Sequence, residues 1–309
     1  MFIDKITSAK SGLLLYGITP PKMETPADKV SEIAERTLGR IQGLDLDALV
    51  VYDVQDESAR TDKERPFPFM GALDPYEFAS QYLSALELPK IIYRPAGKFS
   101  PDEIELWLKN LKANTFYPIF VGVPAPDFTP KTSLPEAYAL WEGQKENSVL
   151  GAITIPERHA VLHDEQHRMM SKMASGVSYF ISQCVFNVDY AKQMLEDLTE
   201  LCKKDGKETP TIIFTLTTCG SEKTLSFMEW LGIHVPDNMK TELLEAEDIL
   251  EKSVSQCLNI AEELTDFCLE KNIPFGFNIE SVAIRKKEIE ASIDITNRVS
   301  AILKGKGLR

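Results

Sequence analysis

Three of the four histidines, His159, His163 and His167, are spaced by four residues. On one continuous helix that spacing stacks the imidazoles on a single face, where they would bind a metal ion with Glu157, Asp164 and Glu165 close by. The competing reading is a row of solvated histidines, whose protonation near neutral pH would tune anion binding beside them. Cys219 stands before Gly220, Ser221 and a predicted helix, a place where the helix terminus lowers a thiol pKa; otherwise it is a passive loop thiol. The Gly220 and Ser221 amides, with the Thr217 and Thr218 hydroxyls, make a helix-start cradle for an anion. Asp56, Glu57 and Glu280 are carboxylates near strand ends that read as solvated loop residues. Tyr16, Phe186 and Phe277 lie near strand ends and would stack on a flat ring or simply fill the core.

These residues need a scaffold, and the hydrophobic pattern supplies one. Short β-branched runs alternate with longer segments of helical period, which is the pattern of consecutive βα units. The predicted strands are Gly12–Ile18, Ala48–Tyr52, Lys90–Arg94, Phe116–Val123, Val149–Ile155, Tyr179–Val185, Thr211–Leu216 and Pro274–Ile279. Eight such units favour an α/β fold closed as a (β/α)8 TIM barrel, with a doubly wound open sheet as the competing architecture. Thr25-Pro26-Ala27-Asp28, Asp74-Pro75-Tyr76-Glu77 and Ser100-Pro101-Asp102-Glu103 combine a capping residue, an early proline and a carboxylate, the signature of a helix start. After the first of them, Val30, Ile33, Ala34, Leu38 and Ile41 form one apolar stripe to lie against the sheet. The interval 220–272 is expected to hold two helices, Ser221–Leu231 and Ala246–Lys271, separated at Val235-Pro236-Asp237. Residues 1–309 read as a single barrel domain with no linker or internal repeat.

Forty-seven acidic against 34 basic residues give a net charge of −13, which argues against nucleic acid and anionic lipid as partners. The five cysteines form no CxxC pair and suit a reducing compartment. No run of apolar residues is long enough for a membrane span, so a cytoplasmic location is expected.

In a βα barrel the loops after the strands share one face, so polar strand ends are where function is sought. Here they are Tyr16-Gly17-Ile18-Thr19-Pro20-Pro21-Lys22, Ile155-Pro156-Glu157-Arg158-His159, Ile181-Ser182-Gln183-Cys184-Val185-Phe186-Asn187 and Asn278-Ile279-Glu280-Ser281. The first three of these, together with Lys172, Gly176 and Leu231-Gly232-Ile233-His234-Val235-Pro236, resemble the corresponding segments of the methylenetetrahydrofolate reductase family. The family's versions are Phe-Glu-Phe-Phe-Pro-Pro-Lys, Tyr-Pro-Glu-x-His, a helix ending in Lys and Gly, Ile-Thr-Gln-x-x-Phe-Asp, and Leu-Gly-Ile-x-Val-Pro. Their order and spacing agree over almost the whole chain.

The resemblance implies an oxidoreductase of one-carbon metabolism, a flavoprotein passing hydride from NAD(P)H through FAD to methylene-tetrahydrofolate. Gln183, with Thr218 and Phe186, would contact the folate, and Glu157, His159, Arg168 and Lys172 would hold the flavin. The Gly220 cradle would then take the folate's glutamate tail. The chain also departs from the family. The first-strand glutamate falls at Gly17, so that a displaced carboxylate would have to come from Asp56, Glu57 or Glu280, and the Leu-Arg-Gly-Asp segment after the fourth strand aligns with Phe120-Val121-Gly122-Val123. The glycine-rich turn after the second strand is replaced by Asp53-Val54-Gln55-Asp56-Glu57, with Arg60 and Arg65 following. The histidine after the third strand is missing near Tyr93-Arg94. These departures motivate the alternative expectation of a folate- or pterin-binding barrel that transfers a methyl group or binds its ligand without flavin redox chemistry. In either reading the partner is a folate-type small molecule, and a homo-oligomer or a partner protein is compatible with it.

Overall fold

The computed structural model describes residues 1–123, 125, 128–143 and 148–309; the Arg60 side chain lies outside what is described. The strands are β1 Leu13–Ile18, β2 Ala48–Val51, β3 Lys90–Pro95, β4 Phe116–Val121, β5 Leu150–Thr154, β6 Val177–Cys184, β7 Thr211–Thr217 and β8 Phe275–Glu280. They pair in chain order, and β8 closes on β1 to complete an eight-stranded barrel. Every ladder is parallel. The open-sheet alternative is therefore set aside, and the fold is the expected (β/α)8 barrel.

Alternation along the strands sorts the core into two layers. Leu13, Leu15, Ala48, Val50, Ile91, Tyr117, Ile119, Tyr179, Ile181 and Ile213 fill the barrel interior. Leu14, Leu49, Ile92, Phe120, Phe180, Ile212, Phe214 and Phe277 face the helices. A short N-terminal helix, α1 (Phe2–Thr7), closes the bottom of the barrel: the Phe2 ring lies 5.2 Å from Tyr117 and 5.5 Å from Tyr179. The mouth at the strand C-termini is thereby left as the face at which a ligand meets the barrel interior.

The outer ring is α2 (Ala27–Ile41), α3 (Pro75–Tyr82), α4 (Pro101–Asn110), α5 (Leu134–Glu142), α6 (Pro156–Leu162), α7 (Glu165–Ala174), α8 (Val188–Lys204), α9 (Glu222–Trp230), α10 (Asp237–Glu245), α11 (Ile249–Lys271) and α12 (Lys286–Gly305). In α2, Val30, Ala34 and Ile41 are buried, with Leu38 packed partly against them. Asp74 caps α3 through the amides of Tyr76 at 2.9 Å and Glu77 at 3.0 Å. Ser100 and Glu103 close a reciprocal capping box on α4. The interval 220–272 corrects the two-helix expectation. Pro236 starts a separate helix, α10, the chain is extended at Ala246, and Asp248 restarts it by capping Leu250 and Glu251. All five cysteines are buried and unpaired. Among the described residues no helix is long and apolar enough to cross a membrane.

Candidate functional site

The barrel mouth is organised around Glu280, the last residue of β8. Register pairs Tyr16 with Ile279, which sets Gly17 beside Glu280 across the β1–β8 seam. A Cβ at position 17 would lie 2.8 Å from the Tyr52 ring, 2.9 Å from its hydroxyl and 3.2 Å from the Glu280 Cβ. Tyr52 and Glu280 thus close over Gly17, and no side chain fits there. Of the three carboxylates proposed from sequence, only Glu280 borders that position. Asp56 is exposed and accepts from the Ser58 amide at 3.0 Å and hydroxyl at 2.6 Å. Glu57 precedes the short 3-10 turn Ser58–Arg60 in the segment between β2 and α3.

A directed hydrogen-bond chain fixes this corner. Asn278 Nδ2 donates to the Tyr52 hydroxyl at 2.7 Å and to Thr215 Oγ1 at 3.2 Å, and the Tyr52 hydroxyl donates in turn to the Glu280 carboxylate. Cys184 Sγ donates to Glu280 Oε1 at 3.2 Å. Burial raises the Glu280 carboxyl above the usual carboxylate range, opposed by the Tyr52 and Cys184 hydrogen bonds. Burial and the neighbouring Glu280 hold the Tyr52 and Tyr93 hydroxyls and the Cys184 thiol protonated. The Tyr52 and Tyr93 rings meet edge to face at 4.7 Å and line the same corner.

Gln183 is half-buried next to Cys184 at the end of β6. Its Oε1 accepts from the Cys184 amide at 3.1 Å, which fixes the side chain and leaves the NH2 group as a donor. Glu157, on the first turn of α6, is half-buried with Oε2 unpartnered, and burial pushes its carboxyl up to about 7. Burial first, and then the charges of Glu280 and Glu157, push the Cys184 thiol up.

Other predicted residues lie elsewhere. Phe186 is 2% exposed and packed in the layer between sheet and helices. Thr218 is fully buried with its hydroxyl unpartnered. His159 is fully buried and holds Asp197 on α8 through Nε2 at 3.0 Å. Arg168 is exposed and pairs with Asp164 at 3.1 Å. Lys172 donates to the Ile153 carbonyl at 2.6 Å, and burial lowers its amine to about 8. The histidine row does not form, because α6 ends at His163, whose φ of 50° is left-handed, and His167 belongs to α7. Among the described residues no cluster of three or more metal-ligating side chains is assembled.

The anion cradle after β7 already holds an anion. Glu288 from α12, 2% exposed, accepts from the Gly220 amide at 3.2 Å and the Thr224 hydroxyl at 3.2 Å. A Cβ at Gly220 would lie 2.6 Å from the Glu288 carboxyl carbon, so glycine is what permits the approach. Cys219 beside it is buried and pushed up to about 11, which makes it a passive thiol. Glu165 is one of the three acidic residues, with Glu157 and Asp164, that the sequence sets beside the histidines. It is fully buried, bound to the Thr154 hydroxyl, the Ile155 amide and Arg158, and it ties α7 to the end of β5.

No family model matches the sequence, and no curated protein matches it. Among solved structures, an endo-1,4-beta-xylanase from Caldicellulosiruptor owensensis aligns over 90% of this chain and 87% of its own at 9% identity and a TM-score of 0.50, a likeness of fold alone. An uncharacterized protein from Clostridium thermocellum that binds two copies of 5-methyl-5,6,7,8-tetrahydrofolic acid aligns over 97% of this chain and 99% of its own, at 42% identity and a TM-score of 0.85. Identity at that level over both full lengths shows common descent, and the chain belongs to the family of this Clostridium thermocellum protein.

Proposed function

We propose that this barrel binds a reduced folate of the 5-methyltetrahydrofolate type at the mouth formed by its strand C-termini, and that it does so without a flavin. The observation that carries the reading is the 42% identity, over nearly the whole chain, to a protein that binds 5-methyl-5,6,7,8-tetrahydrofolic acid. The mouth has the chemistry for such a ligand: Gln183 offers an amide donor, Glu280 an acceptor, and Tyr52 and Tyr93 flat apolar faces.

Three of the four residues at the flavin-holding positions are already engaged by partners within the chain, which supports the flavin-free reading. His159, Arg168 and Lys172 are each engaged by Asp197, Asp164 and the Ile153 carbonyl, and the His159 ring has no exposed surface. The activity this supports is methyl-group transfer or ligand-dependent binding, in the cytoplasm, alone, as a homo-oligomer or with a partner protein. A methylenetetrahydrofolate reductase activity using NAD(P)H is the second reading, favoured by the ordered match at Tyr16–Lys22, Ile155–His159 and Ile181–Asn187.

The test is a visible spectrum of the purified protein with and without added FAD, followed by titration with 5-methyltetrahydrofolate. Folate binding without a flavin band is the expected result. A bound flavin bleached by the folate would refute the flavin-free reading, and absence of folate binding would refute both. NADH oxidation coupled to methylene-tetrahydrofolate, measured on the same protein, decides between transfer or binding and reduction.

A further inference from the structure

We infer that Glu280 is the group that recognises the ligand's ring, its carboxylate accepting from two adjacent N–H donors of an amino-pyrimidinone edge. This rests on the folate reading above.

Two acceptors face the barrel interior from one strand. Glu280 receives hydrogen bonds from Tyr52 and Cys184, yet a carboxylate carries about four lone-pair sites, so acceptor capacity remains on both oxygens. Two residues earlier on the same face, Asn278 is fully buried and its Oδ1 has no partner. The chain from Asn278 through Tyr52 runs toward the Glu280 carboxylate, while the second Asn278 amide proton goes to Thr215, so the acceptor capacity of this corner is left unmet.

A tetrahydropterin has the complementary edge, with a ring N–H and an exocyclic amino group side by side. The other end of a folate ends in carboxylates, which Glu280 and the nearby Glu157 repel. Orientation follows: ring inward at Glu280, with the Gln183 amide placed to donate to the neighbouring ring carbonyl, and acidic tail outward. Glycine at position 17 belongs to the same arrangement, because any side chain there would push Tyr52 off the carboxylate.

The test separates the ligand's two ends. Affinities of wild type and Glu280→Gln are measured by calorimetry for 5-methyltetrahydrofolate, for 6-methyltetrahydropterin as the ring alone, and for 4-aminobenzoylglutamate as the tail alone. Glutamine keeps the shape but loses the charge and one acceptor. Ring and whole-ligand affinity are expected to fall about tenfold to a hundredfold, as for a hydrogen bond to a charged group, while tail affinity holds. Circular dichroism checks the fold of Glu280→Gln, and Glu280→Asp, which restores the charge, is expected to recover part of the loss. Unchanged ring affinity in Glu280→Gln, or an equal loss for the tail fragment, overturns the assignment to Glu280 while leaving folate binding in place. Failure of wild type to bind 5-methyltetrahydrofolate overturns the folate reading itself and this inference with it.

Discussion

Substituting Gly17→Ala adds one methyl group at the most crowded point of the mouth. That carbon would stand 2.8 Å from the Tyr52 ring, against 3.4 Å or more for an ordinary contact, so the ring must retreat by at least about 0.6 Å. The same ring carries the hydroxyl held at 2.7 Å by Asn278, and a shift of that size stretches the bond past 3.2 Å, the usual limit. Overpacking costs about 1–3 kcal/mol and the weakened hydrogen bond about 1 kcal/mol more, so a loss of about 2–4 kcal/mol is expected. Urea unfolding followed by tryptophan fluorescence measures it. Gly39→Ala is the control, since that exposed helical glycine has nothing within 4 Å and the change should stabilise by about 0.5–1 kcal/mol. In a Tyr52→Leu background the Gly17→Ala cost should shrink, because the ring atoms it meets are gone. Equal cost in both backgrounds, or a Gly17→Ala midpoint matching wild type, would show that the Tyr52 ring does not close over position 17.

Three further outcomes follow from the same geometry. The Glu157 carboxyl is pushed from 4.5 to about 7 by burial, so the folded chain binds the extra proton; that contribution is complete below about 4.5 and is lost as pH rises through about 7. Glu157→Gln should therefore flatten the fall in stability across that window, and parallel urea midpoints for variant and wild type would contradict the burial argument. Glu165→Ala leaves the buried Thr154 hydroxyl and the Ile155 amide without their acceptor and frees the partly exposed Arg158, and should cost about 2–3 kcal/mol; a loss below about 1 kcal/mol, read by the same unfolding curves, would mean water replaces the carboxylate freely. Glu288→Ala empties the Gly220 cradle, so inorganic phosphate should raise the melting temperature of the variant and leave wild type unmoved, whereas an equal response in both would show that Glu288 does not fill it.

The barrel was legible because its determinants are local and periodic. Ala48–Val51 and Thr211–Thr217 are apolar or β-branched throughout, and Ser100-Pro101-Asp102-Glu103 carries its capping chemistry within four residues. The helix α10 was missed because Asp237–Glu245 has a single fully buried side chain, Leu243, and so shows almost no apolar stripe. The histidine spacing misled for a related reason: spacing reports a face only while one helix continues, and a left-handed His163 is not written in any residue that demands it. The site was half legible. Gln183 and Glu280 stand at strand ends, where function is expected, but Glu288 reaches Gly220 from 68 residues away, a contact that no local pattern encodes.

Gly17, Tyr52 and Glu280 are better understood as one arrangement than as three separate features. A glycine at a strand end would by itself leave a hole, and neighbours of a hole relax into it or admit water. At Gly17 there is no hole, because Tyr52 supplies the volume and Glu280, one strand over, supplies a carboxyl. Each of the three requires the others: a side chain at 17 would displace Tyr52, and without Tyr52 the Glu280 carboxylate would lose one of its two donors. Residues coupled this tightly are expected to be non-additive, so the single variants Tyr52→Phe and Glu280→Gln should each alter ligand binding while the double variant costs less than their sum. Strict additivity would show instead that the two side chains act separately, and the mouth would then be a set of independent contacts.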